Sequence, residues 1–268
     1  MISVGDRLST IRFKTWAGYG IFFLLAWLVF VVINLPVSWV VNNAGVSKSQ
    51  VSSQVWSGTV WSGEATQMTV AEKVTFAQCQ WDTRLLPMLW LTVTVDWQCS
   101  GESSQGSGEI DYRLLTQQLD FHQTDVSLPA ALFSDRIKNL GAEVSGQISA
   151  IVADASLDSD GQLTAITGHL LWEQAEVNVA KERWLLADIK AQLVTKEEVL
   201  SAQVSDLGKG VLATDVTASL QPDGRYRYDG TIKLRDSSLT RLKGVLSMLG
   251  KSRPDGSVLV RGSGRLPG

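Results

Sequence analysis

Residues 69–81 and 89–99, TVAEKVTFAQCQW and LWLTVTVDWQC, decide the fold of this chain. In both segments, apolar and polar residues alternate with a period of two, which is typical of a β-strand with one buried face. Each segment also places a cysteine two residues from a tryptophan on the same face. We therefore predict strands over 66–81 and 89–99, with Cys79 and Cys99 on their apolar faces.

The same alternation recurs through most of the chain, at intervals of roughly ten residues. It predicts further strands over 55–65, 109–115, 117–126, 175–180, 184–194, 198–205, 211–220, 225–235 and 257–262, and on both sides of a turn at Gly161. The glycine-rich run 101–108 is predicted to be a flexible connection. Because strands and long helices do not alternate, the pattern indicates a mainly β domain, built as an antiparallel, twisted sheet.

Two stretches change to a helical period. The first runs from Ser127, a candidate N-cap, to Gly141, a candidate C-cap. The second begins at Ser237 or Ser238 and ends at Gly250. Its predicted apolar face consists of Leu239, Leu242, Val245, Leu246 and Leu249. The domain is therefore expected to carry two short helices beside its strands.

The longest apolar stretch precedes all of the strands. Residues 17–41, AGYGIFFLLAWLVFVVINLPVSWVV, carry no charge, and a helix of this length can cross a hydrocarbon core of about 30 Å. Trp16 and Tyr19 lie at one end and Trp39 at the other, where aromatic rings favour the membrane interfaces. We predict one transmembrane helix over 17–41, with Trp16, Tyr19 and Trp39 as membrane-interface residues.

The charges that flank this stretch predict its orientation. Arg7, Arg12 and Lys14 precede it, and the first charge after it is Lys48. Because basic residues stay on the cytoplasmic side, the N-terminus is expected inside an inner (plasma) membrane. The predicted order is a cytoplasmic tail (1–16), the transmembrane helix (17–41), a linker (42–54) and a periplasmic β-rich domain (55–268). A cleaved signal peptide and a buried soluble helix are the alternatives, and bulky residues around Pro36 disfavour the first.

Cys79 and Cys99 are the only cysteines of the chain. Because an oxidising periplasm would allow them to pair, we predict a disulfide between Cys79 and Cys99. A hairpin in which Cys79 faces Cys99 would also place Trp81 opposite Trp97. This register requires a loop centred near Leu89. A tighter turn around Leu85, within the turn-like run 82–87, would instead move Cys99 past the end of the partner strand. The bridge would then join non-neighbouring residues or not form, which would leave two separately buried thiols.

The net charge of −3 hides an asymmetry along the chain. Residues 42–224 have an acidic excess, whereas residues 225–268 have a basic excess. The basic end could contact anionic headgroups or an acidic partner, or it could pair with the acidic body of its own fold. The predicted topology argues against nucleic acid as a partner.

Known catalytic and metal-binding motifs do not match this sequence. His122 and His169 have no carboxylate or cysteine at ligand spacing. The run 158–161, DSDG, fails the spacing of a calcium loop, because Leu163 occupies the position that requires glycine and His169 the position that requires an acid. We predict no catalytic, cofactor-binding or metal site, and no enzymatic activity.

Several short motifs occur in an order that resembles a known family. They are LPVSW at 35–39, GTVWSG at 58–63 ahead of Trp-rich strands, GHLLW at 168–172, PDG at 222–224 and the leucine-rich helix at 239–249. In this order they resemble protein N of the bacterial type II secretion system. The resemblance implies a non-enzymatic inner-membrane protein, with a periplasmic β-rich domain, that contributes to export of folded proteins across the outer membrane.

The same resemblance implies which partners to expect. These are other type II secretion envelope components and the phospholipid bilayer. A distant likeness to AsmA-like envelope proteins, which build long sheets with an apolar groove, implies an alternative function in lipid binding or transfer, with a lipid as candidate ligand. A long open apolar groove would favour this alternative, and a packed sheet face would favour the structural role.

Overall fold

The computed structural model describes residues 19, 22–43, 51–84, 86–134, 142–179, 182–208, 210–236, 239, 242–244, 246 and 250–265. Fifteen strands form one sheet. They are β1 (Val51–Ser52), β2 (Val55–Gly58), β3 (Ser62–Val70), β4 (Val74–Arg84), β5 (Thr92–Ser100), β6 (Gln105–Arg113), β7 (Gln118–Pro129), β8 (Ala142–Leu157), β9 (Leu163–Val179), β10 (Glu182–Lys196), β11 (Val199–Asp206), β12 (Leu212–Leu220), β13 (Arg225–Leu234), β14 (Lys251–Ser252) and β15 (Ser257–Arg265).

The strands follow one another as antiparallel neighbours. From β3 to β13 each strand pairs with the next in sequence, β15 follows β13, and β14 pairs with β15. At the other side of the sheet, β1 and β2 both pair with β3. The predicted mainly β, antiparallel architecture is confirmed. The sheet is open, with one edge at each end of the chain.

Two predicted strands are wrong because each contains a turn. The stretch 55–65 is a hairpin, in which Gly58 adopts a left-handed φ of 91° between β2 and the residues leading to β3. The stretch 66–81 is also a hairpin, with Ala71 and Glu72 at φ values of 51° and 58°. Glycine favours such a turn at Gly58, but alanine and glutamate gave no turn signal in sequence.

The helix predicted from Ser127 is wrong at its start. Strand β7 continues to Pro129, a 3-10 helix, Ala130–Phe133, follows, and Ser134 is helical. The Ser127 hydroxyl does not cap a helix but lies within hydrogen-bond distance of Ser149 Oγ (3.0 Å), on the paired strand β8. The remainder of this predicted helix, 135–141, lies outside the described residues. The run 101–108 is also less irregular than predicted, because β6 begins at Gln105.

The second predicted helix is present in the described residues that fall within it. Residues 242–244 and 246 are helical, and Leu242 and Leu246 are buried against Val258 and Val260 of β15. Leu239 packs on the same cluster. The predicted cap serines and Val245 and Leu249 lie outside the described residues.

The apolar N-terminal stretch contains a break that the prediction missed. Residues 22–33 (α1) are helical, and the Asn34 side chain donates to Phe30 O (2.8 Å) at their end. Pro36 then pairs with Thr59, and α2 follows over Val37–Asn43. Proline disfavours helical conformation in the residue before it, so an unbroken helix over 17–41 is wrong. Among the described residues, no helix combines the length and apolarity needed to cross a membrane.

Candidate functional site: the two faces of the sheet

The register of β4 and β5 brings the two cysteines together. Cys79 faces Cys99, with Cα atoms 4.0 Å apart, and their sulfurs are bonded as a disulfide. Trp81 faces Trp97 in the same register. The connection is a 3-10 helix over Leu86–Trp90, so the loop is centred where a facing register requires it, rather than near residue 85.

Strand pairing assembles an almost continuous apolar side of the sheet, which we call the apolar face. In the middle of the sheet, most of its side chains face another apolar side chain or a glycine on a neighbouring strand, although Ile189 also faces Asp206 and Val152 also faces Thr124. The members on β8 to β11 are Ile148, Ala150, Val152, Gly168, Leu170, Trp172, Ile189, Ala191, Leu193, Ala202 and Val204. At about 4.8 Å per strand spacing, the face measures about 34 Å from β5 to β12.

The middle of the apolar face is only half-buried. The members named above on β8 to β11 all lie between buried and exposed, whereas Ala155 of β8 and Ala175 of β9 are buried. The most extensive contacts among the described elements join neighbouring strands; the 3-10 helix Ala130–Phe133 contacts β8, and Trp184 of β10 packs against the buried cluster that contains the helical leucines near the C-terminus. No large side chain of the described residues is fully buried. This surface can therefore hold an apolar ligand or partner by burial, a physical capacity that requires no reactive group.

Two clusters cover the ends of the apolar face. In the N-terminal cluster, Ala65, Phe76, Cys79 and Cys99 are buried, with Trp56, Trp81 and Trp97 packed against them. Trp56 and Trp81 contact each other with ring centroids 6.1 Å apart. In the C-terminal cluster, Leu242, Leu246, Val258 and Val260 are buried, with Val216 and Ile232 beside them.

Aromatic rings lie over glycines at both ends of the face. A Cβ atom added to Gly106 would lie 2.9 Å from Trp97 Cη2, and one added to Gly264 would lie 2.6 Å from Tyr226 Oη. Gly63 stands under Trp81 in the same way. A glycine thus leaves room for the ring of the neighbouring strand to cover the backbone.

The opposite side of the sheet, the polar face, carries ion pairs across strands. Arg84 contacts Asp96 (2.7 Å) and Glu109 (2.8 Å). His122 Nδ1 lies 2.8 Å from Asp154 Oδ1. Sequence spacing could not reveal this contact, because β7 and β8 bring together residues 32 positions apart. No group of three or more potential metal ligands occurs among the described residues.

The basic end is partly paired inside the fold. Arg225 contacts Asp223 (2.5 Å), Arg235 contacts Asp206 (2.5 Å) and Arg261 contacts Asp229. These contacts agree with internal pairing for three of the arginines. Burial opposes ionisation of Asp206, but hydrogen bonds from Thr214 N, Arg235 and Gly208 N outweigh it and lower the pKa of its carboxyl group.

Two of the motifs that carried the family resemblance lie in contact. Trp61 Nε1, from the run 58–63, donates to Val32 O near the end of α1 (2.8 Å). Val60 N donates to Leu35 O (3.0 Å), beside the Pro36–Thr59 bridge. Tyr19 and Trp39 are exposed, and Trp16 lies outside the described residues. The apolar N-terminal stretch is thus joined to the first hairpin of the sheet.

Comparison with known proteins adds an independent finding. The model of the family described as "Type II secretion system (T2SS), protein N" matches residues 49–261. A "Type II secretion system protein N" of Aeromonas hydrophila is 25% identical over 250 residues, which cover 91% of this chain and 96% of that relative. A protein of the same name from Pectobacterium carotovorum subsp. carotovorum is 27% identical over 153 residues, 56% of this chain and 60% of the relative. No solved structure matches. The matched range runs from just before β1 into β15, so the chain belongs to the type II secretion system protein N family.

Proposed function

We propose that this chain is a non-enzymatic inner-membrane component of the type II secretion system, which contributes to export of folded proteins across the outer membrane. The observation that carries the proposal is the family match over 49–261, the range that forms almost the whole sheet. In this proposal, residues 17–41 anchor the chain with the N-terminus in the cytoplasm, and the sheet lies in the periplasm. The Cys79–Cys99 disulfide supports an oxidising compartment.

The contact between α1 and the first hairpin supports a mechanical role for the anchor. Because Trp61 Nε1 donates a hydrogen bond to Val32 O and Pro36 forms a β-bridge with Thr59, the start of the sheet is held close to the end of the apolar stretch. The sheet would then extend away from the membrane strand by strand. Such a scaffold can place its distal strands beside other envelope components of the system.

Deletion of the chain from a bacterium that uses type II secretion tests the proposal. We expect exported enzymes to accumulate in the periplasm, and a plasmid copy of the full chain to restore their release. A periplasmic protein that is not exported serves as the leakage control. After crosslinking in intact membranes, other secretion components should co-purify with the chain. Normal export together with no crosslinked secretion component would contradict the proposal.

A reporter assay tests the proposed topology separately. A periplasm-dependent enzyme fused after Gly268 should be active, and the same enzyme fused after Thr15 should be inactive. The opposite pattern would invert the orientation. Intact-mass measurement should find residues 1–41 retained in the mature protein, which distinguishes an anchor from a cleaved signal peptide.

The half-buried apolar face favours a second candidate function, lipid binding or transfer. The face measures about 34 Å from β5 to β12, and its half-buried middle lies between the two clusters, so an acyl chain laid across it would bury apolar surface. Adjacent residues of β10 provide a matched pair of variants, because Leu193 lies on the apolar face and Gln192 is exposed on the polar face. Lipids extracted from the purified full chain should decrease in Leu193→Asp and not in Gln192→Asp. Equal lipid content in both variants would argue against this function, provided both retain the disulfide and the melting temperature.

A further inference from the structure

The two edges of the sheet differ in what covers them. At the N-terminal edge, β1 and β2 pair with β3, and α2 lies beside β2. At the C-terminal edge, β15 pairs with β13 along its whole length, but β14 pairs only with Val258 and Leu259. Within the described part of the chain, residues 261–265 therefore have one unpaired side. We call this segment the open edge.

The open edge presents a row of backbone hydrogen-bonding groups. Arg253 N donates to Ser257 O across the β14–β15 hairpin (2.8 Å), so Ser257 directs its carbonyl away from β13. Alternate residues of a strand direct their backbone groups to the same side. Arg261, Ser263 and Arg265 therefore direct N–H and C=O groups away from β13. Such a row can accept an added strand.

Charge on the polar side of the open edge selects acidic partners. The side chains of Arg261 and Arg265 lie on the polar face, in register with Asp229 and Arg225 of β13. Arg261 is paired with Asp229 but keeps 59% of its side chain exposed. Arg227, in register with Ser263, adds a further positive charge between them. Carboxylates placed opposite these arginines would be stabilised as cross-strand pairs.

The apolar side of the open edge has room for partner side chains. Gly262 and Gly264 carry no side chain, and the rings of Tyr228 and Tyr226 lie over them. The two tyrosines remain 38% and 37% exposed. Apolar side chains of an added strand would lie beside these rings, where cross-strand contacts with aromatic groups are favourable.

We propose that the open edge binds an extended segment of a partner protein, in which acidic residues alternate with apolar ones, as an added antiparallel strand. A second copy of this chain is a poor partner, because pairing two open edges would bring their arginines together. The competing role for edge arginines is to prevent strand addition altogether. This inference goes beyond the proposed secretion function and does not depend on it.

Hydrogen exchange on the full chain in detergent tests the added strand. The probe is an end-capped peptide, Glu-Val-Glu-Val-Glu-Val, and its Lys-for-Glu counterpart is the control. We expect the acidic peptide to slow exchange at the Arg261, Ser263 and Arg265 amides, and not to change Gly262 and Gly264, which already face β13. Binding should weaken as salt is added. Equal protection by the basic peptide, or protection elsewhere only, would overturn the proposal.

Two edge variants and one control separate charge from backbone pairing. Arg261→Glu/Arg265→Glu should weaken binding of the acidic peptide about tenfold, because two attractive pairs become repulsive. Ser263→Pro should also weaken protection at Arg261 and Arg265, because it removes one outward N–H at an edge where proline is tolerated. Lys190→Glu, on the polar face of β10, should bind as the unmodified chain does. Unchanged affinity in both edge variants, absence of acidic-peptide binding, or concentration-dependent protection without peptide would overturn the proposal.

Discussion

The N-terminal and C-terminal clusters hold the two ends of one sheet by different means. At the N-terminal cluster, a covalent bond joins β4 to β5, and three tryptophans pack around it. At the C-terminal cluster, two leucines of a short helical segment cover β15 without any covalent link. Between them, the apolar face is half-buried. A single-layer sheet buries little apolar area per residue, so we infer that these two clusters supply a large share of its stability.

Of the changes that test this comparison, removal of the disulfide should lower the stability of the sheet most. The disulfide closes a loop with a sequence separation of 20 residues, which in the chain-entropy model stabilises by about 3 kcal/mol. We expect Cys79→Ser/Cys99→Ser to lower the free energy of unfolding by about this amount, measured by denaturant titration of the full chain. Thiol alkylation of the unreduced, denatured protein should label neither cysteine. Two labelled cysteines would contradict the disulfide.

The pattern that predicted this end of the sheet failed where local signals were absent. Period-two alternation predicted the antiparallel sheet, and the cysteine spacing indicated a register that the structure has. The turn at Ala71 and Glu72 lacks glycine and asparagine, so nothing local marks it. Ser127 resembled a helix cap, yet its partner, Ser149, is reached only through pairing with β8. Long-range contacts such as Trp61 with Val32 depend on the assembled fold and leave no periodicity in sequence.

Truncating a leucine at the C-terminal cluster should have the next largest effect. Leu246 is 4% exposed and packs with Leu242 on Val258 and Val260. Leu246→Ala removes buried methyl groups and leaves a gap, so we expect a loss of about 2–3 kcal/mol. Lys243→Ala is the matched control, because Lys243 is exposed on the same segment and should change stability little. Similar losses in both variants would show that burial of Leu246 is not the source of the effect, since alanine favours a helix at either position.

The Asp206–Arg235 pair joins the end of β11 to the residue that follows β13 and should matter in a pH-dependent way. The pKa of the Asp206 carboxyl group is lowered in the folded state. The stability that this carboxylate contributes is therefore fully present above the unfolded pKa of about 3.9 and is lost as pH falls through the folded value. Asp206→Asn should therefore cost about 1–2 kcal/mol at neutral pH and progressively less below pH 4. Denaturant titrations at both pH values measure the difference. A cost independent of pH would show that charge is not its source.

The smallest predicted loss of stability comes from replacing a glycine under an aromatic ring. Comparing such a variant at each end of the sheet shows how firmly that end holds its rings. An added Cβ at Gly106 would meet Trp97 ring atoms 2.9 Å away, and that ring packs on the buried N-terminal cluster. An added Cβ at Gly264 would meet the Tyr226 hydroxyl at 2.6 Å and its ring carbon Cζ at 2.7 Å, but Tyr226 is 37% exposed and its ring can move outward. We expect Gly106→Ala to destabilise by about 1 kcal/mol and Gly264→Ala by less than about 0.5 kcal/mol, as thermal denaturation can measure. If Gly264→Ala costs as much as Gly106→Ala, the C-terminal end holds its rings as rigidly as the disulfide-linked end. The contrast between a rigid N-terminal end and an adaptable C-terminal end would then be wrong. A clearly smaller cost for Gly264→Ala would instead show that the more mobile rings lie beside the open edge.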